Sequence, residues 1–219
     1  MSDAARVRRE HEPAVLGNQL RLAAGWGRPC LGYHVFVRPG AAAGALARLQ
    51  AAALALEPSL LRVPARALHA NVAWLLPVQQ EFGCPKDELW RRHGARWMAA
   101  LTRVAAARAC FRLRFTDLVA TDSAVIAVAR EPNGLSALRR ELGPALDVPG
   151  QLTAGQLVHM TLLRYGRPLR DPAGLLRWLE SVPLCLDVEV SELLVIRERT
   201  FPSLNVDVIG QIALPRRNR

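Results

Sequence analysis

Two short apolar runs constrain this chain more than any other feature: ALHANVAWLL over 67–76 and QLVHMTLLRY over 156–165. The first ends before Pro77 and the second before Gly166, and both read as buried strands. Each carries a histidine with a polar residue two positions on, His69 with Asn71 and His159 with Thr161. Residues two apart on a strand share a face, so each polar pair emerges together. Ala70, Val72, Met160 and Leu162 point the other way, into a core. Each polar pair must therefore face something other than that core.

The two runs sit in matching surroundings. Val35 precedes His69 by 34 residues and Val125 precedes His159 by 34. Both halves read strand, helix, histidine strand, helix, strand. In the first half these are a strand over 32–38, a helix over 41–56, the histidine strand, a helix from Pro85 to about Arg108, and a strand over 110–118. That helix puts Trp90, Trp97, Leu101 and Val104 on one face, and in the strand Phe111, Leu113 and Phe115 alternate with Arg112, Arg114 and Thr116. In the second half they are a strand over 123–130, a helix over 134–142 stopped by Gly143-Pro144, the histidine strand, a helix capped by Asp171-Pro172 that runs to Ser181, and two closing strands, over 184–190 and 204–208. The pattern predicts an α+β fold: a two-lobed internal duplication, with largely antiparallel sheets around a central groove and helices on the outside. Residues 1–31 show no sustained period and read as an N-terminal arm. Residues 32–219 then form one bilobal domain with pseudo-repeats at about 32–119 and 120–214.

Composition narrows the function classes. At 219 residues, 51% hydrophobic and 22% charged, the chain has material for a real core and is not a disordered segment. Its 29 basic and 19 acidic residues give a net charge of +10, and Lys86 is the one lysine. Arginine forks suit phosphate and carboxylate, although alanine, arginine and leucine are abundant throughout, so charge alone does not select an anionic partner. Cys30, Cys84, Cys110 and Cys185 are scattered without ligand spacing; they are expected to be reduced, mostly buried thiols, with no metal. Met1 to Glu12 has no apolar leader core, and the tract over 41–56 is interrupted by Arg48 and Gln50 and is too short to span a bilayer. A soluble cytoplasmic monomer with no membrane contact is expected.

Other candidates have competing readings. Trp74 and Tyr165, near the ends of the histidine strands, are placed to stack on a base or to pack in the core. His34 alternates out of a strand with no matched partner and reads as surface or core. His93, beside Arg91, Arg92 and Arg96, reads as a solvated helix face, with phosphate contact as the alternative.

His159-Met160-Thr161-Leu162 and, less fully, His69-Ala70-Asn71-Val72 resemble the paired His-x-(Thr/Ser)-hydrophobic motifs of the two-histidine phosphoesterases, which include the RNA-ligase-like and cyclic phosphodiesterases. The resemblance in element order covers roughly residues 32–214. Asn71 stands where that family has threonine or serine, and Arg164 resembles an arginine that follows the second motif. The resemblance implies a phosphoric diester hydrolase acting without metal or cofactor on a cyclic or 2′-linked phosphodiester of an RNA end or small nucleotide. His69 and His159 would be its general acid and base, and Asn71, Thr161 and Arg164 would bind the phosphate. The alternative is a non-catalytic RNA- or nucleotide-binding module with the same groove, which Asn71 favours.

Overall fold

Ser2 opens the first element, its hydroxyl accepting a hydrogen bond from the Ala5 amide at 3.2 Å and so capping helix α1 (Asp3–Leu16). The computed structural model describes residues 2–130, 134–148 and 157–216. Strand β1 (Pro29–Val37) leads through a 3-10 turn at Gly40–Ala42 into α2 (Ala43–Leu56). Then come β2 (Leu60–Arg62), β3 (Ala70–Leu76), α3 (Lys86–Ala106) and β4 (Phe111–Ala120). The second half runs through β5 (Ala124–Arg130), α4 (Leu135–Leu146), β6 (His159–Tyr165), α5 (Pro172–Ser181), β7 (Leu186–Val190), β8 (Glu192–Thr200) and β9 (Asn205–Ala213). Among the described residues, no helix is long and apolar enough to cross a membrane.

The strands form two antiparallel sheets, ordered β3-β1-β8-β9 and β2-β6-β5-β4-β7, giving the α+β architecture. Each sheet contains one histidine strand paired with the strand that opens its half, β3 on β1 and β6 on β5. The next strand is exchanged. β4 of the first half pairs with β5, and β8 of the second half pairs with β1. The lobes are therefore not the two halves of the sequence, and the exchange ties them together.

Alternation along β1 separates the helix side from the groove side. Tyr33, Val35 and Val37 join the main core with Leu46 of α2, Trp97 and Leu101 of α3 and Leu138 of α4. Phe36 packs instead with Leu194 and Ile196 of β8 on the opposite face. Helices cover one face of this sheet and leave the other to the groove.

Three elements were not anticipated from the sequence. The segment read as an arm contains α1, whose Ala4 and Val7 are buried against Val119, Ile126 and Val128 of β4 and β5. β2 is only three residues long, and β8 has a continuous apolar run, Leu193 to Ile196, in place of alternation, because it is buried between β1 and β9. Two boundaries also differ. Helix α4 continues through Gly143-Pro144 to Leu146, a residue with no exposed surface that anchors the last turn in the core. Gln156, predicted to open the second histidine strand, lies outside the described residues.

Candidate phosphate site

His69 sits one residue before β3 and His159 is the first residue of β6. From each histidine, the groove-facing positions recur at the same offsets. His69, Asn71 and Trp74 line the cleft from one sheet, and His159, Thr161 and Arg164 line it from the other. Strict alternation would put the third residue four positions after the histidine; here it is five, because two buried residues follow each polar pair, Val72-Ala73 and Leu162-Leu163. Both strand pairings carry register irregularities, between Val35 and Phe36 in one and between Val125 and Ile126 in the other. Bulges of this kind re-aim side chains beside functional sites.

The cleft has a volume of about 750 Å³. On its first wall, the His69 ring is held in two ways: Nδ1 lies 2.7 Å from the Ala67 carbonyl, and the ring stacks on Phe36 with centroids 4.7 Å apart. With Nδ1–H donating to that carbonyl, Nε2 is the nitrogen left for a ligand. Burial pushes the His69 pKa down to about 4; the Ala67 carbonyl opposes the shift, and the charges of His34 and His159 add to it. Burial likewise lowers His159, opposed by the carbonyl of Leu157, again two residues back. Arg164 stands beside them with its Nε buried and without a hydrogen-bond partner among the described residues.

A buried arginine braces the two histidine segments from behind. Arg139 of α4, 8% exposed, donates from Nη2 to the Asn71 carbonyl at 2.5 Å and from Nη1 to the Leu157 carbonyl at 3.4 Å. It therefore fixes the backbone of both segments at once.

No family model matches this chain, and no curated protein does. Solved structures do. TT0787 of Thermus thermophilus superimposes with a TM-score of 0.62 at 22% identity, over 86% of this chain and 100% of that one. LigT of E. coli, complexed with phosphate, gives 0.58 at 15% identity over 86% and 99%. The same protein complexed with 3′-AMP gives 0.55 at 16% over 85% and 98%. The chain has the fold of TT0787 and LigT.

Within this fold, Trp74 is 38% exposed on the cleft wall, open to stacking. Tyr165 is not. Its ring has no exposed surface and its hydroxyl donates to the Thr121 carbonyl at 2.9 Å, so the stacking reading of Tyr165 is corrected to packing. The residue sits one position past Arg164 and points to the opposite face of β6. His93 stacks on Trp97 at 5.5 Å, while Arg92 and Arg96 are paired with Glu88 and Asp147. All four cysteines are free, but they are less buried than expected: three are half-buried and Cys185 is exposed.

The structure adds two residues to the cleft that sequence reasoning missed. His34 is 7% exposed and Glu198 of β8 is 3% exposed; His34 Nε2 lies 3.0 Å from Glu198 Oε2, and both line the cleft. Glu198 sits opposite Gly32 in the β1–β8 register, and a Cβ on Gly32 would come within 2.7 Å of His34 Nε2. The glycine makes room for the imidazole to lean back and reach the carboxylate. Burial pushes the Glu198 carboxyl up, but the contacts from His34 and the Ser203 amide, the latter at 2.6 Å, outweigh it and hold the group below its ordinary value. No group of three metal-capable side chains occurs among the described residues.

Proposed function

We propose that this protein hydrolyses a cyclic or 2′-linked phosphodiester of an RNA end or small nucleotide by acid–base catalysis that requires no metal. The observation that carries the reading is Arg164, a half-buried guanidinium whose Nε has no partner among the described residues, set beside His159 and Thr161 in the cleft that also holds His69. A desolvated cation beside His159, in a cleft shared with His69, is a site for an anionic phosphoryl group. LigT, which shares the fold, is described as complexed with phosphate and with 3′-AMP.

In this reading His69, kept unprotonated by burial, takes a proton from water as the water oxygen attacks phosphorus. The bond from phosphorus to the leaving oxygen breaks, and His159 gives its proton to that oxygen. A phosphomonoester and an alcohol result. Thr161, Asn71 and Arg164 stabilise the non-bridging oxygens, and Trp74 stacks on the base. The two half-sites divide the work, because Trp74 occupies in one the offset that Arg164 occupies in the other.

The test is hydrolysis of 2′,3′-cyclic nucleotides and cyclic-phosphate RNA ends with chelator present. Turnover that persists, and falls by about 10²-fold or more in His69→Ala and in His159→Ala, is expected. Activity lost in chelator and restored by a divalent metal would refute the metal-free mechanism. A second reading, a binding module without turnover, is favoured by Asn71 in place of a hydroxyl; tight binding with no turnover would establish it.

A further inference from the structure

The first half-site holds a charge pair that the acid–base steps leave unused. His34 of β1 and Glu198 of β8 are buried at the cleft, with Nε2 and Oε2 3.0 Å apart. A buried ion pair is seldom worth more than apolar packing of the same volume, yet the surroundings are shaped for this one. Gly32 leaves open the space in which a Cβ would come within 2.7 Å of His34 Nε2, and the Ser203 amide donates to Glu198 Oε1 at 2.6 Å. The strand ladders place the pair in one half only. His34 lies opposite Trp74 between β1 and β3, and Ala124 lies opposite Arg164 between β5 and β6. Trp74 and Arg164 each stand five residues after their histidine, so Ala124 occupies the place of His34. The second half-site carries its cation on the histidine strand, and the first carries one on the neighbouring strand together with a carboxylate. His34 shares the groove face of β1 with Phe36, the ring that stacks on His69 at 4.7 Å.

We propose that His34, anchored by Glu198, is a positioning residue that keeps His69 unprotonated and so makes the first half-site the base. The inference rests on the phosphodiester reading and deepens it, giving a structural cause for the division of labour between the two histidines.

In acid the pair is an imidazolium and a carboxylate. The imidazolium opposes a further proton on His69 and the carboxylate favours one, with the effect of His34 the larger; His159, facing from β6, adds a smaller opposition. The remaining groups around the pair keep their charge over the same range. Arg164 of β6 senses Glu198 as a permanent cation. Cys30, beside Glu198, has its thiol pushed up to about 12 by burial and by that carboxylate, and is neutral. Lys86 of α3 is held by the Leu31 and Val78 carbonyls at 3.2 and 2.8 Å, and Arg66, in the turn before His69, is exposed and donates to the Leu204 carbonyl at 3.4 Å. Removing the imidazolium alone therefore takes a positive charge from beside His69 and leaves Glu198 uncompensated. Both changes make His69 easier to protonate.

The test is an NMR pH titration of the 15N-labelled imidazoles in the full chain without substrate, paired with kcat/KM for a 2′,3′-cyclic nucleotide across pH 3–9. In His34→Gln the His69 midpoint should rise by about one pH unit. The acid limb of kcat/KM should rise with it, while the midpoint of His159, which answers to Arg139 and Arg164, moves less. His34→Asn gives a second protein without the ring and should do the same. His34→Lys restores a cation facing Glu198 and should return the midpoint toward the parental value. A His69 midpoint unmoved in both ring-free variants, or one that rises as far in His34→Lys, would overturn the proposal and leave the phosphodiester reading to stand on parental turnover. A parent without turnover would refute that reading and the base role with it, whatever the titration shows.

Discussion

Asn71 departs from the His-x-(Thr/Ser) pattern, yet it lines the cleft with Thr161. If its amide donates to a phosphoryl oxygen, Asn71→Ala lowers kcat/KM by about 10²-fold, the scale of losing one oxyanion donor. Asn71→Thr keeps or raises it, and His69→Ala costs more, because proton transfer is lost as well. An Asn71→Ala protein with parental kinetics would make Asn71 structural and end the equivalence of the two half-sites. The imidazoles also fix a pH dependence. A base must be unprotonated, so kcat/KM rises with pH through the His69 value, about 4. An acid must be protonated, so activity falls as pH passes the His159 value, which burial holds below the ordinary 6.5. A bell centred below pH 6.5 is expected from rate measurements across pH 3–9; an optimum above pH 7 would contradict the assignment. That His69 and Asn71, and His159 and Thr161, face the cleft as pairs was legible in the sequence, because residues two apart on a strand share a face. Glu198 was not, since its partner His34 is distant in sequence and only the β1–β8 register brings them together.

At the scale of elements, the site depends on two strands held at a fixed separation, and Arg139 is the brace. Arg139→Met removes donors from the Asn71 and Leu157 carbonyls without opening a large cavity. Expected outcomes are a loss of about 1–3 kcal/mol in unfolding free energy and a kcat reduced about 10-fold, the scale on which misplacing reacting groups acts. Retention of parental kcat at reduced stability would make Arg139 structural only. Most elements were readable from period and punctuation: Pro85 opens α3 and Asp171 caps α5, its side chain accepting from the Gly174 amide at 2.8 Å. Helix α1 was hidden because its buried side chains are only Ala4, Val7 and Val15, too sparse for a recognisable stripe. Its position comes from packing on β4 and β5, which no local signal encodes.

At the scale of the molecule, the sequence repeat placed one histidine in each sheet, while the exchange of β4 and β8 between sheets lay beyond periodicity. The β1–β8 pairing brings Glu198 to the cleft of the first half-site, and the β5–β6 pairing sets the Thr121–Ser123 turn beside the second. With a net charge of +10, the chain attracts anions generally, so weak anion binding alone would say little about the cleft. The central claim is narrower: His69 and His159 address one phosphate. The most direct test is an NMR titration of the 15N-labelled imidazoles with inorganic phosphate at constant ionic strength. His69 and His159 should shift together along one saturation curve with a single Kd, and Arg164→Met should weaken both equally while His93 stays unmoved. Two different dissociation constants, or a response from only one of the pair, would contradict the account.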